Sequence, residues 1–178
     1  MARDGVTGAL LVGGASRRFG SPKALARLDG ETLAERAHRT LAEAFSRVVV
    51  VGKAKDGLPF PFPLVDDGSD VRAPIVGVAA ALRAAVDELV VVLPTDVPTA
   101  TAELLAELAE AAEGVDAAVP ETGPLPGAYR RSALSVLERR IEAGDLALRD
   151  ALGELRTRIV PVDPAALRNV NTPGDLAG

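Results

Sequence analysis

Two adjacent glycines near the amino terminus are followed by three cationic side chains, those of Arg17, Arg18 and Lys23. The glycines, Gly13 and Gly14, let backbone amides approach a ligand closely because they carry no Cβ. Successive amides that point into one concavity favour an anion, and the cations would add to that attraction. We therefore expect this loop to hold a triphosphate. A plain turn beside exposed arginines would show the same residue pattern, so the loop alone leaves both interpretations open.

The spacing of the glycines excludes two familiar nucleotide loops. A Walker loop carries Gly-Lys-Ser or Gly-Lys-Thr after four intervening residues, and a dinucleotide-binding turn carries Gly-x-Gly-x-x-Gly. Neither pattern lies between Gly13 and Lys23. The apolar run before the glycines, residues 10–12, is short and does not alternate, which indicates a strand covered on both faces. The sequence therefore predicts a buried strand that leads directly into a different kind of phosphate loop.

Asp96 is the carboxylate with the strongest case for metal binding. It follows a predicted buried strand at residues 88–93 and lies between Pro94 and Pro98, which restrict the backbone around it. Open α/β sheets bind ligands beyond the carboxyl ends of their strands. Mg²⁺ needs only one or two carboxylates when substrate phosphates supply further oxygens. The pattern favours a magnesium site beside the triphosphate, and the alternative is a turn aspartate that accepts hydrogen bonds from nearby amides.

Lys23 is a candidate phosphate ligand. The chain has three lysines and seventeen arginines, and the other two lysines, Lys53 and Lys55, lie together after the second predicted strand. A compact ammonium neutralises a single phosphate oxygen, whereas a guanidinium fork is suited to two partners. We expect Lys23 to contact the triphosphate rather than only solvent.

Composition and charge exclude several classes of protein. The formal net charge of -5 and the pI near 5.0 argue against a protein that neutralises a nucleic-acid backbone. Cysteine is absent and His38 is the single histidine, so thiolate and His-based catalysis lack material and any metal must be held by oxygen. No signal-peptide pattern and no apolar run of membrane-spanning length is present. We expect a cytoplasmic protein that binds neither nucleic acid nor membranes.

Strand and helix patterns alternate along the chain. A strand, a helix and a further strand in this order form a right-handed βαβ unit, and repetition of that unit specifies an α/β fold. We expect one domain over residues 1–178, a three-layer Rossmann-like domain with a mainly parallel sheet. The predicted helices are residues 33–44, 74–86, 101–113, 132–143 and 146–155, and the predicted strands are residues 10–12, 47–51, 88–93, 116–119, 127–129 and 158–162, with at most a short strand at 63–65.

The phosphate loop resembles the signature of a known group of enzymes. Nucleotidyltransferases with a sugar-nucleotide-transferase fold carry a similar pattern, usually with methionine at the position of Phe19. Later segments resemble the MobA family, the molybdenum cofactor guanylyltransferases, although Ala73 replaces a family glycine and residues 124–131 are shorter than the family's acceptor-side segment. The segments that carry the resemblance are Gly13-Gly14-x-Ser16-x-Arg18-Phe19-Gly20-x-x-Lys23, Pro74-Ile75-Val76-Gly77, Leu93-Pro94-Thr95-Asp96-Val97-Pro98 and Asn169-Val170-Asn171-Thr172-Pro173.

The resemblance implies a nucleotidyltransferase fold and a magnesium-dependent enzyme that transfers GMP from GTP to Mo-molybdopterin and releases pyrophosphate. Molybdoenzymes or cofactor-insertion proteins would be further partners. Catalysis would fall to Arg18, Lys23 and Asp96, with Mg²⁺ on Asp96. The nucleotide-binding residues would be Leu11, Val12, Gly13, Gly14, Lys23, Asp66, Asp67 and Asp96, and the substrate-binding residues would be Gly77, Asn169 and Asn171.

Asp66 and Asp67 are the candidates for base recognition, because similar proteins use a carboxylate in this region for the guanine nucleotide. A carboxylate that accepts both N1–H and the exocyclic amine of guanine would reject adenine. The residues do not decide which of the two aspartates fills this role. A solvated acidic loop is an equally good interpretation of the stretch.

Two alternatives to the guanylyl function stay open. The first keeps the chemistry and uses CTP with molybdopterin, or a nucleotide with a sugar phosphate or other phosphorylated acceptor. Gly13 stands where cytidylyltransferase relatives tend to have alanine, and this favours the guanylyl function. The second is a non-catalytic nucleotide-binding accessory protein, against which the presence of Lys23 and Asp96 argues.

Overall fold

The structure, a computed structural model, describes residues 1–13 and 22–177. Gly14 and Arg18 lie outside these residues, so the roles expected of them stay predictions. The strands are β1 (Arg3–Leu11), β2 (Arg27–Leu28), β3 (Glu31–Thr32), β4 (Phe45–Gly52), β5 (Val65–Asp66), β6 (Leu89–Pro94), β7 (Ala117–Pro120), β8 (Gly127–Arg130) and β9 (Thr157–Val160). The α-helices are α1 (Leu33–Ala44), α2 (Pro74–Ala84), α3 (Ala102–Ala111), α4 (Leu134–Glu142) and α5 (Leu148–Ala151).

Seven of these strands form one sheet in the order β5-β4-β1-β6-β8-β7-β9. β1 pairs in parallel with both β4 and β6, and β5 and β9 are also held by parallel pairing. Only β8, among the described strands of this sheet, runs antiparallel to its neighbours β6 and β7. The expected α/β fold with a mainly parallel sheet is therefore confirmed.

Side chains that alternate along the central strands feed two separate cores. On β1, Leu10 packs into one core, whereas Ala9 and Leu11 pack into the other. Because successive strand residues point to opposite faces, the two cores lie on opposite faces of the sheet. Helices α1 and α3 cover the first face, and α2 and α4 cover the second. This arrangement has the three layers expected from the sequence.

Local sequence signals account for several helix ends. Thr32 begins α1 with a capping box, because its hydroxyl accepts from Glu35 N and the Glu35 carboxylate accepts from Thr32 N. Thr101 accepts from Leu104 N at the start of α3, as its position predicts. No helix in the described ranges has both the length and the apolar character needed to cross a membrane.

The later helices differ from the predicted ranges. The helix predicted at residues 146–155 is only one turn, α5, followed by a 3-10 turn at Leu152–Glu154. Gly153 lies inside this stretch, and glycine disfavours a helix interior because it loses more backbone freedom than other residues do. The helix predicted at 132–143 begins after a 3-10 turn at Arg131–Ala133.

Candidate active site

The carboxyl ends of the three central parallel strands meet at one edge of the sheet. Leu11, the last residue of β1, lies opposite Val51 of β4 and Pro94 of β6. The segments that follow these strands therefore emerge side by side. They carry Gly13 after β1, Lys53 after β4 and Asp96 after β6.

Two cavities open at this edge and share the wall formed by Leu11, Gly13 and Pro74. The β4 cavity has a volume of about 220 Å³, and the β6 cavity has a volume of about 560 Å³. The β4 cavity is also lined by Val51, Gly52, Lys53, Asp67, Val71, Arg72, Ala73 and Gly77. The β6 cavity is also lined by Val12, Lys23, Ala24, Pro94, Thr95, Asp96, Thr122, Gly123, Pro124, Leu125, Leu146, Ala147, Leu148, Arg149 and Asn169.

A buried ion pair forms one wall of the β4 cavity. Lys53 Nζ lies 2.8 Å from Asp67 Oδ2 and 3.0 Å from Asp67 Oδ1, and the two side chains are 3% and 9% exposed. The parallel pairing of β5 with β4 brings Lys53 and Asp67 together. This pairing places Asp66 opposite Gly52, and a hydrogen bond from Asp67 N to Gly52 O extends it by one residue. Asp67 therefore lies beside the residue that follows Gly52.

Asp66 occupies a different environment from its neighbour. Its carboxylate is exposed and accepts from Ala54 N at 2.8 Å and from Gly68 N at 2.9 Å. These backbone hydrogen bonds stabilise the anion and lower the pKa of Asp66. Asp66 does not line the β4 cavity, whereas Asp67 does. Of the two aspartates that the sequence left undecided, only Asp67 faces this space.

Asp96 and Lys23 lie in the wall of the β6 cavity. Burial raises the pKa of Asp96, and the positive charge of Lys23 partly offsets this rise. A carboxylate that is costly to ionise when unliganded gains most from a bound cation. In the ranges 1–13 and 22–177, no group of three or more His, Cys, Asp or Glu side chains is placed to hold a metal ion. A cation at Asp96 would thus need phosphate oxygens or water as further ligands, and this donor set fits Mg²⁺.

The carboxyl-terminal segment is attached directly to the backbone of Asp96. Val170 is buried and its N–H donates to Asp96 O at 2.7 Å. This bond brings Asn169 into the wall of the β6 cavity. Asn171 is exposed, does not line that cavity, and donates its backbone N–H to Asp175 Oδ2 at 2.9 Å. Only one of the two predicted asparagines therefore joins the other residues of the site.

Gly77 lies in the first turns of α2, where it lines the β4 cavity. A Cβ at this position would lie 3.0 Å from Leu11 Cδ2, so the glycine lets the helix pack closely on β1. Leu11, Val12 and Gly13, predicted as nucleotide-binding residues, all line at least one of the two cavities.

A tyrosine holds the loop of residues 122–125, which forms part of the β6 cavity wall. Tyr129, fully buried on β8, donates its hydroxyl to Pro124 O at 2.6 Å. Gly127 leaves room for this contact, because a Cβ there would lie 2.6 Å from Pro124 O and 2.9 Å from Tyr129 Cε2. The loop of residues 122–125 lines the same cavity as Asp96.

Sequence reasoning missed three cationic residues of the site, Lys53, Arg72 and Arg149. Lys53 was recognised only as a lysine after a strand, although its position beyond the carboxyl end of β4 was a usable signal. Arg149 lines the β6 cavity from α5, with Nη2 3.4 Å from Thr122 O. The position of Arg149 in the cavity wall depends on how the last helices pack against the sheet, and no local sequence motif indicates it.

Comparisons with known proteins bear directly on this site. Residues 8–159 match the family model described as the MobA-like NTP transferase domain. A protein of Desulfosudis oleivorans named molybdenum cofactor guanylyltransferase is 32% identical, with 97% of this chain and 93% of the relative covered. A probable molybdenum cofactor guanylyltransferase of Chloroflexus aggregans is 36% identical, with 96% and 91% covered.

A solved structure agrees with these sequence relatives. The crystal structure of molybdopterin-guanine dinucleotide biosynthesis protein A from Archaeoglobus fulgidus superimposes with a TM-score of 0.84 at 30% identity. The match covers 96% of this chain and 95% of the other. The resemblance first seen in the glycine loop thus extends over the whole fold that carries the two cavities, and the chain belongs to the MobA-like NTP transferase family.

Proposed function

We propose that this protein is a molybdenum cofactor guanylyltransferase, which transfers GMP from GTP to Mo-molybdopterin in a magnesium-dependent reaction. The observation that carries the proposal is the shared wall of the two cavities, because Gly13 lies between Asp67 on one side and Lys23 with Asp96 on the other. A nucleotide whose base enters the β4 cavity would extend its phosphates past Gly13 towards Asp96. Two relatives that match this chain over nearly its full length are named as a molybdenum cofactor guanylyltransferase and a probable molybdenum cofactor guanylyltransferase, and this supports the assignment.

The division of space suggests where each substrate binds. The β4 cavity is small, and Val51, Val71 and Pro74 give it apolar surface suited to a base. The β6 cavity is larger and continues past Asp96 to the loop of residues 122–125 and to Arg149. We assign the β4 cavity to the guanine base and the β6 cavity to the phosphorylated acceptor. The reacting phosphate would lie between them, next to Lys23 and Asp96.

The reaction needs positioning and charge stabilisation rather than a covalent intermediate. An oxygen of the acceptor's terminal phosphate attacks the α-phosphorus of GTP, the new P–O bond forms, and the bond to the β-phosphate breaks, which releases pyrophosphate. Lys23 would neutralise phosphate oxygens, and the amide of Gly13 would donate to them. Asp96 would hold Mg²⁺, which supplies charge neutralisation of the phosphate oxygens when bound. Arg18 and Gly14 keep the roles that the resemblance gives them.

Calorimetry with GTP, CTP, ATP and UTP in the presence of Mg²⁺ tests the base assignment. A clear preference for GTP is expected, and a preference for CTP would move the protein to the cytidylyl alternative. Pyrophosphate release with GTP and Mo-molybdopterin then tests catalysis. Asp96→Asn should fold and lose turnover. Asp145→Asn, at an exposed position, should fold and keep turnover. A parent protein that binds GTP and never releases pyrophosphate would support the accessory-protein alternative.

A further inference from the structure

The ammonium of Lys53 has no donor left for a ligand. Its three N–H groups are matched by three acceptors: Asp67 Oδ1 at 3.0 Å, Asp67 Oδ2 at 2.8 Å and Ser69 O at 2.6 Å. A lysine carries three donors and no acceptor. Although Lys53 lines the β4 cavity, it therefore cannot bind a phosphate without giving up an existing bond. Its effect on a ligand must act through the groups that it holds.

With respect to residues 1–13 and 22–177, the carboxylate of Asp67 keeps one open acceptor position. Among the described residues, Oδ1 accepts from Lys53 Nζ and from Ser69 N at 3.0 Å, whereas Oδ2 accepts from Lys53 Nζ alone. The two oxygens of a carboxylate offer about four acceptor positions in total. The remaining position is on Oδ2. The contact to guanine that the sequence suggested needs two open acceptor positions, one for N1–H and one for the exocyclic amine. One open position can accept from a single ring N–H.

A purely structural explanation of the buried pair is weak, because a second ion pair joins the same two segments. Lys55, also just after β4, pairs with Asp70 on the surface, with side chains 54% and 94% exposed. The backbone bond from Asp67 N to Gly52 O fixes the loop further. Removing two charges from water is expensive, and well-packed apolar residues often serve stability as well or better. A buried cation beside a cavity-lining carboxylate calls for a further role.

We propose that Lys53 is a positioning residue that sets the base preference of the β4 cavity. It holds the Asp67 carboxylate in one orientation, so that the open position on Oδ2 can accept from an N–H of the base. Guanine has a hydrogen on N1 and can donate to that oxygen. Adenine has a lone pair on N1, which would face the carboxylate and be repelled. The inference rests on the proposed function, since it requires that the β4 cavity hold a purine base.

The test compares two lysines that differ in burial. Lys53→Met removes the buried ammonium, and Lys55→Met makes the same chemical change at the exposed pair two residues away. Each variant and the parent are titrated with GTP and with ATP in the presence of Mg²⁺. In Lys53→Met the ratio of the ATP Kd to the GTP Kd should fall by at least about tenfold, the loss expected for a hydrogen bond to a charged group. In Lys55→Met the ratio should stay within about twofold of the parent.

A merely structural role would weaken GTP and ATP binding by the same factor and leave the ratio unchanged, and that result would overturn the inference. Lys53→Met leaves a buried carboxylate without its cation, so the variant can fail to fold. The double variant Lys53→Met with Asp67→Asn leaves no unpaired charge and should lose the same preference; retention of the parent's ratio would refute the proposal. A parent that shows no preference for GTP would instead refute the guanylyl assignment itself.

Discussion

Replacement of Tyr129 by phenylalanine should separate acceptor binding from nucleotide binding. Tyr129 is fully buried, and burial raises the pKa of its phenol well above the usual range, so the hydroxyl stays a neutral donor. Its bond to Pro124 O is the contact that holds the loop of residues 122–125 against β8. That loop lines the β6 cavity and not the β4 cavity. Tyr129→Phe should therefore loosen the acceptor side of the site alone.

The magnitude follows from the single contact that is lost. Phenylalanine fills nearly the same space, so the main cost is one hydrogen bond and one carbonyl left without this donor, about 1–3 kcal/mol. At about 2–4 °C per kcal/mol for a chain of this size, the Tm should fall by about 2–12 °C. Gly127→Ala should act in the same direction, because its Cβ would lie 2.6 Å from the same carbonyl oxygen.

The assay combines thermal unfolding with two binding parameters. In Tyr129→Phe the KM for Mo-molybdopterin should rise while the Kd for GTP stays at the parent value. Thr7→Val is the matched control, because Thr7 is buried on β1, away from both cavities, and its hydroxyl donates to Asp87 Oδ2 at 2.8 Å. This control should lower the Tm and leave both parameters unchanged. An unchanged acceptor KM in a destabilised Tyr129→Phe, or an equal loss of GTP binding, would refute the assignment of the β6 cavity to the acceptor.

The remaining predictions concern charge and base recognition. Because burial raises the pKa of Asp96, its ionisation in the unliganded fold lowers stability as the pH rises from about 4 through that raised pKa. Asp96→Asn should therefore have a Tm at pH 7 equal to or above that of the parent, and its rate of pyrophosphate release should fall at least about 100-fold. A lower Tm in Asp96→Asn would contradict the predicted direction. Hydrogen bonds from Arg156 and Ser132 hold the pKa of Asp116 below its usual range. The stabilisation of the fold by the Asp116 carboxylate is therefore complete above the unfolded pKa near 4, and it is lost as the pH falls further. Urea unfolding should thus show Asp116→Asn weaker than the parent at pH 7 and equal to it in strong acid, and an equal deficit at both pH values would speak against this. Because the described contacts of Asp67 leave one acceptor position open, ITP, which lacks the exocyclic amine, should bind within about threefold of GTP in calorimetry. A Kd for ITP more than about tenfold weaker would show that the carboxylate accepts from both N1–H and the exocyclic amine.

The central strands were predictable from the pattern of apolar residues along the chain. Residues 10–12 and 89–93 are continuous apolar runs, and such runs form strands when both faces of a parallel sheet are covered, as β1 and β6 are here. Once these strands are paired in parallel, the segments after them must emerge together. The proximity of Gly13 to Asp96 at one cavity therefore follows from the sequence plus one topological rule.

The Lys53–Asp67 pair was not predictable in the same way. It depends on the pairing of β5, a strand of only two residues, with the end of β4. Neither length nor alternation specifies the register of so short a strand, and a shift of one residue would have brought the other aspartate into the cavity. The choice between Asp66 and Asp67 is thus made by the tertiary fold. Arg149 is a similar case, because the broken helix around Gly153 decides where that side chain lies.

The charges of the two cavities point to a division of labour at the site. Of the described residues that line the β4 cavity, each cation has a carboxylate partner, since Lys53 pairs with Asp67 and Arg72 pairs with Asp56. A balanced wall offers a ligand little net attraction, so discrimination there must come from hydrogen-bond geometry. In the β6 cavity Asp96 is left with a raised pKa, which means that the fold stabilises its anion poorly without a bound cation. In the described part of the chain, the cavity that we assign to the base is therefore electrostatically balanced without a ligand. The cavity that we assign to the chemistry would be completed by the cation and the phosphates of the nucleotide.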